Sequence, residues 1–88
     1  METGITLQQM DALKCAIGYR PYRVENGIHV STRNWCGYRQ EMPFWEDLVV
    51  KGYATKRLHR LFNETVYSLS ESGIKYLENV LSVKIKIS

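Results

Sequence analysis

The chain has 88 residues, 44% of them apolar and 11% aromatic, which suits one small folded domain and leaves little room for a deep catalytic cleft. Its net charge of +3 is mildly basic, and eight Lys/Arg against four Asp/Glu fall between Arg20 and Arg60. This distribution is compatible with a nucleic-acid partner and equally with a solvated basic surface.

The sequence lacks the usual features of secreted and membrane-spanning proteins. Two cysteines are fewer than a secreted domain of this size usually carries. Met1–Asp11 has neither the basic start nor the apolar run of a signal peptide. No stretch of about 18 apolar residues is present to span a membrane. We therefore expect a single cytoplasmic domain over residues 1–88, with no membrane contact. A homodimer is compatible with so small a domain.

The first helix is predicted from a capping box and an apolar stripe. Thr6 as N-cap, with Gln9 three residues later, marks its start. Gly18 ends it as a left-handed residue, and Pro21 prevents it from resuming. Apolar residues at three- and four-residue steps predict one buried face. That face comprises Leu7, Met10, Leu13, Ala16 and Ile17.

The segment Tyr22–Thr32 predicts a β-hairpin. The Asn-Gly pair at 26–27 is typical of a two-residue type I′ turn, but that register mixes apolar and polar side chains on each face. A three-residue loop over 25–27 places four apolar side chains on one face, and we predict this register. Its pairs are Val24 with Ile28 and Tyr22 with Val30. The following segment, Arg33–Glu41, has no clear period and is either a packed loop or a short edge strand.

A second helix, a strand pair and a third helix are predicted for the remainder. The second helix begins near Pro43, has a buried face of Phe44, Trp45, Leu48 and Val49, and ends at Gly52. The strands are Tyr53–Leu58 and Thr65–Leu69, with a loop from His59 to Glu64 between them. The third helix starts at Ser70 or at Ser68 and runs through Leu81. The tail Val83–Ile87 is either an edge strand guarded by lysines or frayed.

Two segments carry a resemblance to a known fold. Trp45–Ala54, a helix followed by Gly52 and a strand, resembles the helix-plus-strand of winged-helix proteins. Tyr67–Leu77 resembles the strand-to-helix junction after the wing in MarR-like regulators. The order of elements is also similar to that of small uncharacterised phage and prophage proteins, which share an element like Arg33-Asn34. The resemblance implies a winged-helix-like α+β fold, with three helices, a central hairpin and a C-terminal wing hairpin, in a bacterial host cell.

The resemblance has one departure that bears on DNA reading. A helix-turn-helix needs two helices in quick succession, the second lying in the major groove. The predicted hairpin and the irregular segment after it stand where the first would be. The helix Pro43–Lys51, which would read DNA by position, carries Glu46 and Asp47. These carboxylates are unfavourable beside phosphates.

Catalytic and metal-binding patterns are weak in this sequence. The candidate soft ligands Cys15, His29, Cys36 and His59 include no close pair of the kind that structural zinc sites use, and Cys15 is expected to be packed. No phosphate loop, nucleophile elbow or His-Glu-x-x-His motif is present. We expect no enzyme activity, no metal and no cofactor.

Basic and aromatic residues alternate in several places. The densest cationic run is residues 56–60, in the hairpin that the resemblance assigns as the wing. Such mixtures bind phosphates and stack on bases, and they are also enriched in protein interfaces. Alternatively, the rings belong to the core and the arginines lie over them. The candidate binding residues are Arg33, Arg39, Lys56, Arg57, His59, Arg60, Leu61 and Phe62.

Two functions are compatible with these candidates. The first is a non-catalytic winged-helix-like module that contacts nucleic acid through its basic wing. The alternative is a phage-encoded module or inhibitor that binds a host, phage or defence protein. It is favoured by the acidic second helix and by the apolar Leu61 and Phe62 at the wing.

Overall fold

The computed structural model describes residues 5–87, which form three α-helices, one 3-10 turn and five strands. The helices are α1 (Leu7–Ile17), α2 (Pro43–Val50) and α3 (Glu71–Leu81), and the 3-10 turn is Pro21–Arg23. The strands are β1 (Ile28–Ser31), β2 (Cys36–Tyr38), β3 (Ala54–His59), β4 (Glu64–Leu69) and β5 (Lys84–Ile87). The predicted α+β class with three helices is confirmed. Within residues 5–87, no helix is long and apolar enough to cross a membrane. The first four residues of the Met1–Asp11 segment lie outside the described part of the chain.

The strands form two small sheets. In one, β2, β4 and β3 lie side by side in that order and all pairs are antiparallel. In the other, β1 pairs in parallel with β5, so the tail is a strand rather than frayed chain. The segment 33–41 likewise contains a short edge strand, β2, which was one of its two predicted states.

Capping at both ends of α1 agrees with the prediction. Thr6 Oγ1 accepts from the Gln9 amide at 3.0 Å, and Gln9 Oε1 accepts from the Thr6 amide at 2.9 Å. Gly18 closes the helix with a left-handed φ of 66°, which a residue with a Cβ adopts only at a cost. The N-cap of α3 is Ser70, whose hydroxyl accepts from the Gly73 amide, so the Ser68 alternative is wrong.

The buried face of α1 differs from the predicted one. Leu7 is 85% exposed, whereas Gln9 is buried. The reason is that the Gln9 side-chain amide donates to the carbonyl of Phe44 at 3.1 Å and to Asp47 Oδ2 at 2.8 Å. A buried amide with its donors satisfied costs little and joins α1 to α2. Cys15, expected to be packed, is exposed.

The predicted hairpin register is wrong. Glu25 and Ile28 exchange backbone hydrogen bonds of 2.9 Å, and both residues of the Asn26-Gly27 turn have positive φ, as a type I′ turn requires. The Glu25–Ile28 bridge is isolated, because Tyr22 lies in the 3-10 turn and β1 pairs with β5 instead. The tertiary partner, rather than the apolar pattern, decides which side of β1 is buried.

The buried side of β1 is polar and contains His29 and Ser31, each 1% exposed. His29 Nε2 accepts from the Arg20 amide at 3.0 Å, so the proton of the neutral ring is on Nδ1, which lies 3.0 Å from Ser31 Oγ. This ring therefore holds the chain after α1 against β1.

Stability should fall on mild acidification because of His29. Burial, followed by the charge of Arg23, lowers the pKa of His29 below its ordinary value of 6.5. The unfolded chain therefore binds a proton more readily than the native state, and the stabilisation is lost as pH falls below 6.5 through the native pKa. Urea unfolding at about pH 7.5 and about pH 5.5 measures this loss. The change should shrink in His29→Gln and persist in the control His59→Gln; equal stability of the wild-type chain at both pH values contradicts it.

The core lies between the three helices and one face of the larger sheet. Trp45 of α2 stacks on Tyr67 of β4 with ring centroids 5.2 Å apart, and both side chains are fully buried. Leu13 of α1 and Leu77 of α3 belong to the same cluster. Since successive side chains of a strand point to opposite faces, the face that carries Tyr67 is the helix side, and the other is called the outer face below.

Candidate functional site

Two neighbouring basic residues of β3, Lys56 and Arg57, lie on opposite faces of the sheet. Lys56 is paired with Tyr67 and so lies on the helix side, while Arg57 is paired with Val66 on the outer face. The Lys56 ammonium is 2.8 Å from Glu41 Oε2 and 3.0 Å from Glu46 Oε1. Its charge is thus compensated within the fold, and it lies apart from the other basic residues of the β3–β4 hairpin.

The carboxylate of Glu46 is committed to the same network. It accepts from the Tyr67 hydroxyl at 2.5 Å as well as from Lys56. These two hydrogen bonds, the one from Tyr67 first, lower the pKa of Glu46, and the two carboxylates raise the pKa of Lys56. Lys56 therefore belongs to the joint between α2 and the sheet.

The outer face of the sheet carries a cluster of aromatic and charged side chains around a concavity. Strand alternation places Gly37, Arg57, His59, Glu64 and Val66 on this face. Phe62, from the turn between β3 and β4, stacks on His59 with ring centroids 4.9 Å apart. The concavity, which we call the outer-face slot, has a volume of about 320 Å³ and is lined by Trp35, Arg57, His59, Phe62, Glu64 and Val66.

Val66 forms the floor of the slot, and Gly37 lies beside it on the same face. A Cβ at Gly37 would lie 3.0 Å from Glu64 Oε1, so the missing side chain leaves room for the Glu64 carboxylate, whereas the six-membered ring of Trp35 would be at an ordinary contact distance of 3.7 Å. Val66 is only 4% exposed although the helices pack on the opposite face. Trp35 and Phe62 remain 50% and 69% exposed. The slot is thus an apolar floor between two accessible rings.

The two charged residues of the slot, Arg57 and Glu64, have opposite charges, and neither takes part in an ion pair with another residue of 5–87. Within residues 5–87, the ion pairs involve Lys51 and Lys56, and no arginine takes part in one. Arg57 and Glu64 supply the polar edges of the slot. His59 Nδ1 is buried and has no hydrogen-bond partner among the described residues. Such an orphaned nitrogen leaves a polar position open to a bound group.

The other predicted residues do not line the slot. Arg60 and Leu61 are in the exposed turn that also carries Phe62, and Leu61 is 87% exposed. Arg39 is exposed one residue beyond β2. Arg33 lies at the end of α1, where its guanidinium donates to the Cys15 carbonyl at 2.7 Å. Of the eight predicted residues, Arg57, His59 and Phe62 therefore line the slot.

Trp35, Glu64 and Val66 were missed as slot residues. Trp35 had been noted in a basic-aromatic run, but nothing assigned it to a sheet face. Recognising 36–38 as a strand would have sufficed, because positions 35 and 37 then fall on the same side. A three-residue strand is too short for its alternation to be read with confidence from the sequence.

The described residues include no metal-ligand cluster, and the Cys36 thiol is not activated. Within residues 5–87, no group of three or more His, Cys, Asp or Glu side chains is arranged to hold a metal ion. Burial raises the pKa of the Cys36 thiol, which is 3.4 Å from the Tyr38 hydroxyl, and burial also raises the pKa of Tyr38 to about 12. A thiol that stays protonated is a weak nucleophile.

Comparison with family models, with curated proteins and with solved structures found no match to this chain.

Proposed function

We propose that this chain is a non-catalytic module that binds single-stranded nucleic acid across its outer face. The observation that supports this most directly is the outer-face slot, in which Trp35 and Phe62 stand over Val66 beside Arg57. Aromatic faces stack on bases of any sequence, and unpaired arginines attract the phosphates between them. The β3–β4 hairpin thus remains the proposed binding element, and its contacts with nucleic acid are centred on the outer face of the sheet.

The size and polarity of the slot suit one flat ring. Its volume of about 320 Å³ is near the lower end for small-molecule pockets, which begin at roughly 300 Å³. A base inserted between the two aromatic residues would contact an apolar floor and meet Arg57 and Glu64 at its edges. Stacking on aromatic side chains contributes about 1–3 kcal/mol per base, enough to hold a strand together with a few phosphate contacts.

We further propose that the frame is winged-helix-like, with the β3–β4 hairpin as the wing. In support, the hairpin is joined at β4 to the short strand that precedes α2, as in a winged-helix sheet. Between β2 and β3, however, there is one helix rather than the two of a DNA reader. The α2 carboxylates Glu46 and Asp47 are already bonded to Tyr67, Lys56, Gln9 and Lys51. These features favour a single strand on the outer face over a duplex on α2.

The adjacent residues Arg57 and Lys56 provide a matched test. Arg57→Gln should weaken binding of a fluorescein-labelled oligothymidylate by about tenfold, because it removes one charge-assisted phosphate contact. It should also reduce the slope of log affinity against log salt by about 0.7, the value for one contact on a single strand. Lys56→Gln removes the same charge from the helix side and should leave both quantities unchanged. Fluorescence anisotropy over a salt series measures both.

Trp35 gives an independent readout of the same binding. It is half exposed, whereas Trp45 is buried against Tyr67, so a stacked base should quench mainly the Trp35 emission. The proposal fails if oligothymidylate neither quenches this emission nor changes anisotropy at low salt. It also fails if Lys56→Gln weakens binding as much as Arg57→Gln.

A second candidate function is protein binding, favoured by the apolar residues at the end of the wing. Leu61 and Phe62 are 87% and 69% exposed in the turn, and Leu58, on the helix side of β3, is 63% exposed. Neighbouring exposed apolar side chains of this kind often mark protein contacts. If oligonucleotides do not bind, this end of the hairpin becomes the preferred interface, and Leu61→Ser is the variant with which to examine it.

A further inference from the structure

A second concavity, distinct from the outer-face slot, lies where α1 ends. It has a volume of about 310 Å³ and is formed by the chain after α1, the 3-10 turn and the end of β1. Three arginines line it, Arg20, Arg23 and Arg33, and its lining includes no Asp or Glu. Ser31, Thr32 and Tyr22 complete most of its polar wall. We call it the arginine depression.

The arginines of this depression are held in place by the fold. The backbone of Arg20 donates to His29 Nε2 at 3.0 Å, which ties the chain that carries Arg20 and Arg23 to β1. The guanidinium of Arg33 donates to the Cys15 carbonyl at 2.7 Å and lies over Gly18, where a Cβ would be 3.6 Å from its Nε. One of its five N–H groups is thereby used, and the others are left for a ligand.

The wall of the depression also includes the exposed residue Thr32. Ser31 is 1% exposed, and its Oγ accepts from the protonated Nδ1 of His29 at 3.0 Å. Ser31 therefore fixes the His29 ring that ties the chain of Arg20 to β1.

The net positive charge of this region favours the binding of an anion. Within residues 5–87, none of the three arginines is in an ion pair with a carboxylate. Arg20 and Arg33 also line an adjoining depression that contains Asp11 and Lys14. Arg23 also lines a third depression that contains Glu25. The basic residues of the three depressions outnumber these two carboxylates, so the positive excess is kept. Like charges around one cavity raise each other's free energy unless an anion enters. A guanidinium group can donate two parallel hydrogen bonds to the oxygens of one phosphate.

We propose that the arginine depression binds a phosphate group, either free or at the end of a phosphate ester. The proposal is independent of nucleic-acid binding on the outer face, since none of the depression's residues lines the slot. A phosphate dianion accepts from the Arg20, Arg23 and Arg33 guanidinium groups, which line the depression together with Thr32. Arg33 then has two roles, since it also closes the end of α1.

The test is an NMR titration of the full chain with sodium phosphate, compared with sodium chloride at equal ionic strength. Saturable shifts of the backbone amides of 18–33 are expected, with a dissociation constant of about 1 mM or below. Arg20→Gln and Arg23→Gln should each weaken binding about tenfold. Arg60→Gln removes the same charge in the wing and should leave the affinity unchanged. Arg33 is not replaced, because it supports the helix end.

The source of the phosphate is distinguished by titrating adenosine 5′-monophosphate and adenosine. Tighter binding of the monophosphate than of inorganic phosphate supports an ester ligand, and equal binding supports a free phosphate. The proposal is overturned if shifts are absent or do not saturate, or if Arg60→Gln weakens binding as much as Arg20→Gln. It is also overturned if adenosine reproduces the shifts of the monophosphate. None of these outcomes depends on whether oligothymidylate binds the outer-face slot.

Discussion

Gly73→Ala is expected to lower the free energy of unfolding by about 3 kcal/mol, although alanine is ordinarily the better helix former. A Cβ at this position would overlap the carbonyl oxygen of Tyr53 and lie 2.9 Å from its carbonyl carbon. The helix start and the Tyr53 carbonyl cannot easily move apart. The Tyr53 carbonyl accepts from the Ser70 amide at 3.1 Å, and Ser70 Oγ donates to the Gly52 carbonyl at 2.6 Å. The substitution must therefore push α3 away from the chain that leads into β3.

Urea unfolding followed by circular dichroism measures this loss, and Ser72→Ala is the matched control. Ser72 is the preceding residue of α3 and is exposed, so its replacement should change stability by at most about 0.5 kcal/mol. A Gly73→Ala variant as stable as the control would mean that α3 does not approach Tyr53 this closely. The close contact also gives a physical reason for glycine in the strand-to-helix junction 67–73.

The parts of the fold that were predictable from sequence are those determined by neighbouring residues. Thr6, Gly18 and Ser70 lie at the helix ends where their side chains or backbone freedom predict them. The strands β3 and β4 were placed to within one residue, because their pattern and the intervening turn are local. Elements of this kind need no knowledge of the tertiary partner.

The errors arose where a distant partner decides the outcome. Gln9 is buried because Phe44 and Asp47, more than thirty residues away, satisfy its amide. Similarly, the pairing of β1 with the distant strand β5 decides which side of β1 is buried, and Arg20 and Ser31 then satisfy the two ring nitrogens of His29. Hydrophobic patterns assign polar residues to the surface, and they fail where a polar side chain has its hydrogen bonds met inside.

The candidate site likewise combines features set by neighbouring residues with features set by distant partners. The cationic run 56–60 was visible in the sequence, but its meaning depends on which face each side chain occupies. Pairing with Tyr67 puts Lys56 among carboxylates, while pairing with Val66 puts Arg57 beside the aromatic rings. A count of basic residues therefore overstates the binding surface. Register, which alternates faces at every residue, determines which charges can act together.

Removal of both slot rings in Trp35→Ala/Phe62→Ala is expected to weaken oligothymidylate binding about 30-fold or more, since each ring contributes at least about 1 kcal/mol of stacking. Both side chains are half exposed or more, so the fold should survive, with a modest loss from exposing Val66. The salt dependence should be unchanged, because no phosphate contact is removed. Anisotropy of a labelled oligonucleotide measures affinity, and circular dichroism checks the fold.

The two single variants decide whether one base lies between the rings. If it does, the losses in Trp35→Ala and Phe62→Ala are coupled, with an interaction energy of about 0.5 kcal/mol or more in the double-mutant cycle. If bases stack on each ring separately, the losses add. Leu7→Ala/Val50→Ala removes two side chains that are each 85% exposed and lie outside the slot, and it should leave affinity unchanged. A double variant of the slot that binds as tightly as this control would mean that the nucleic acid does not use the outer face.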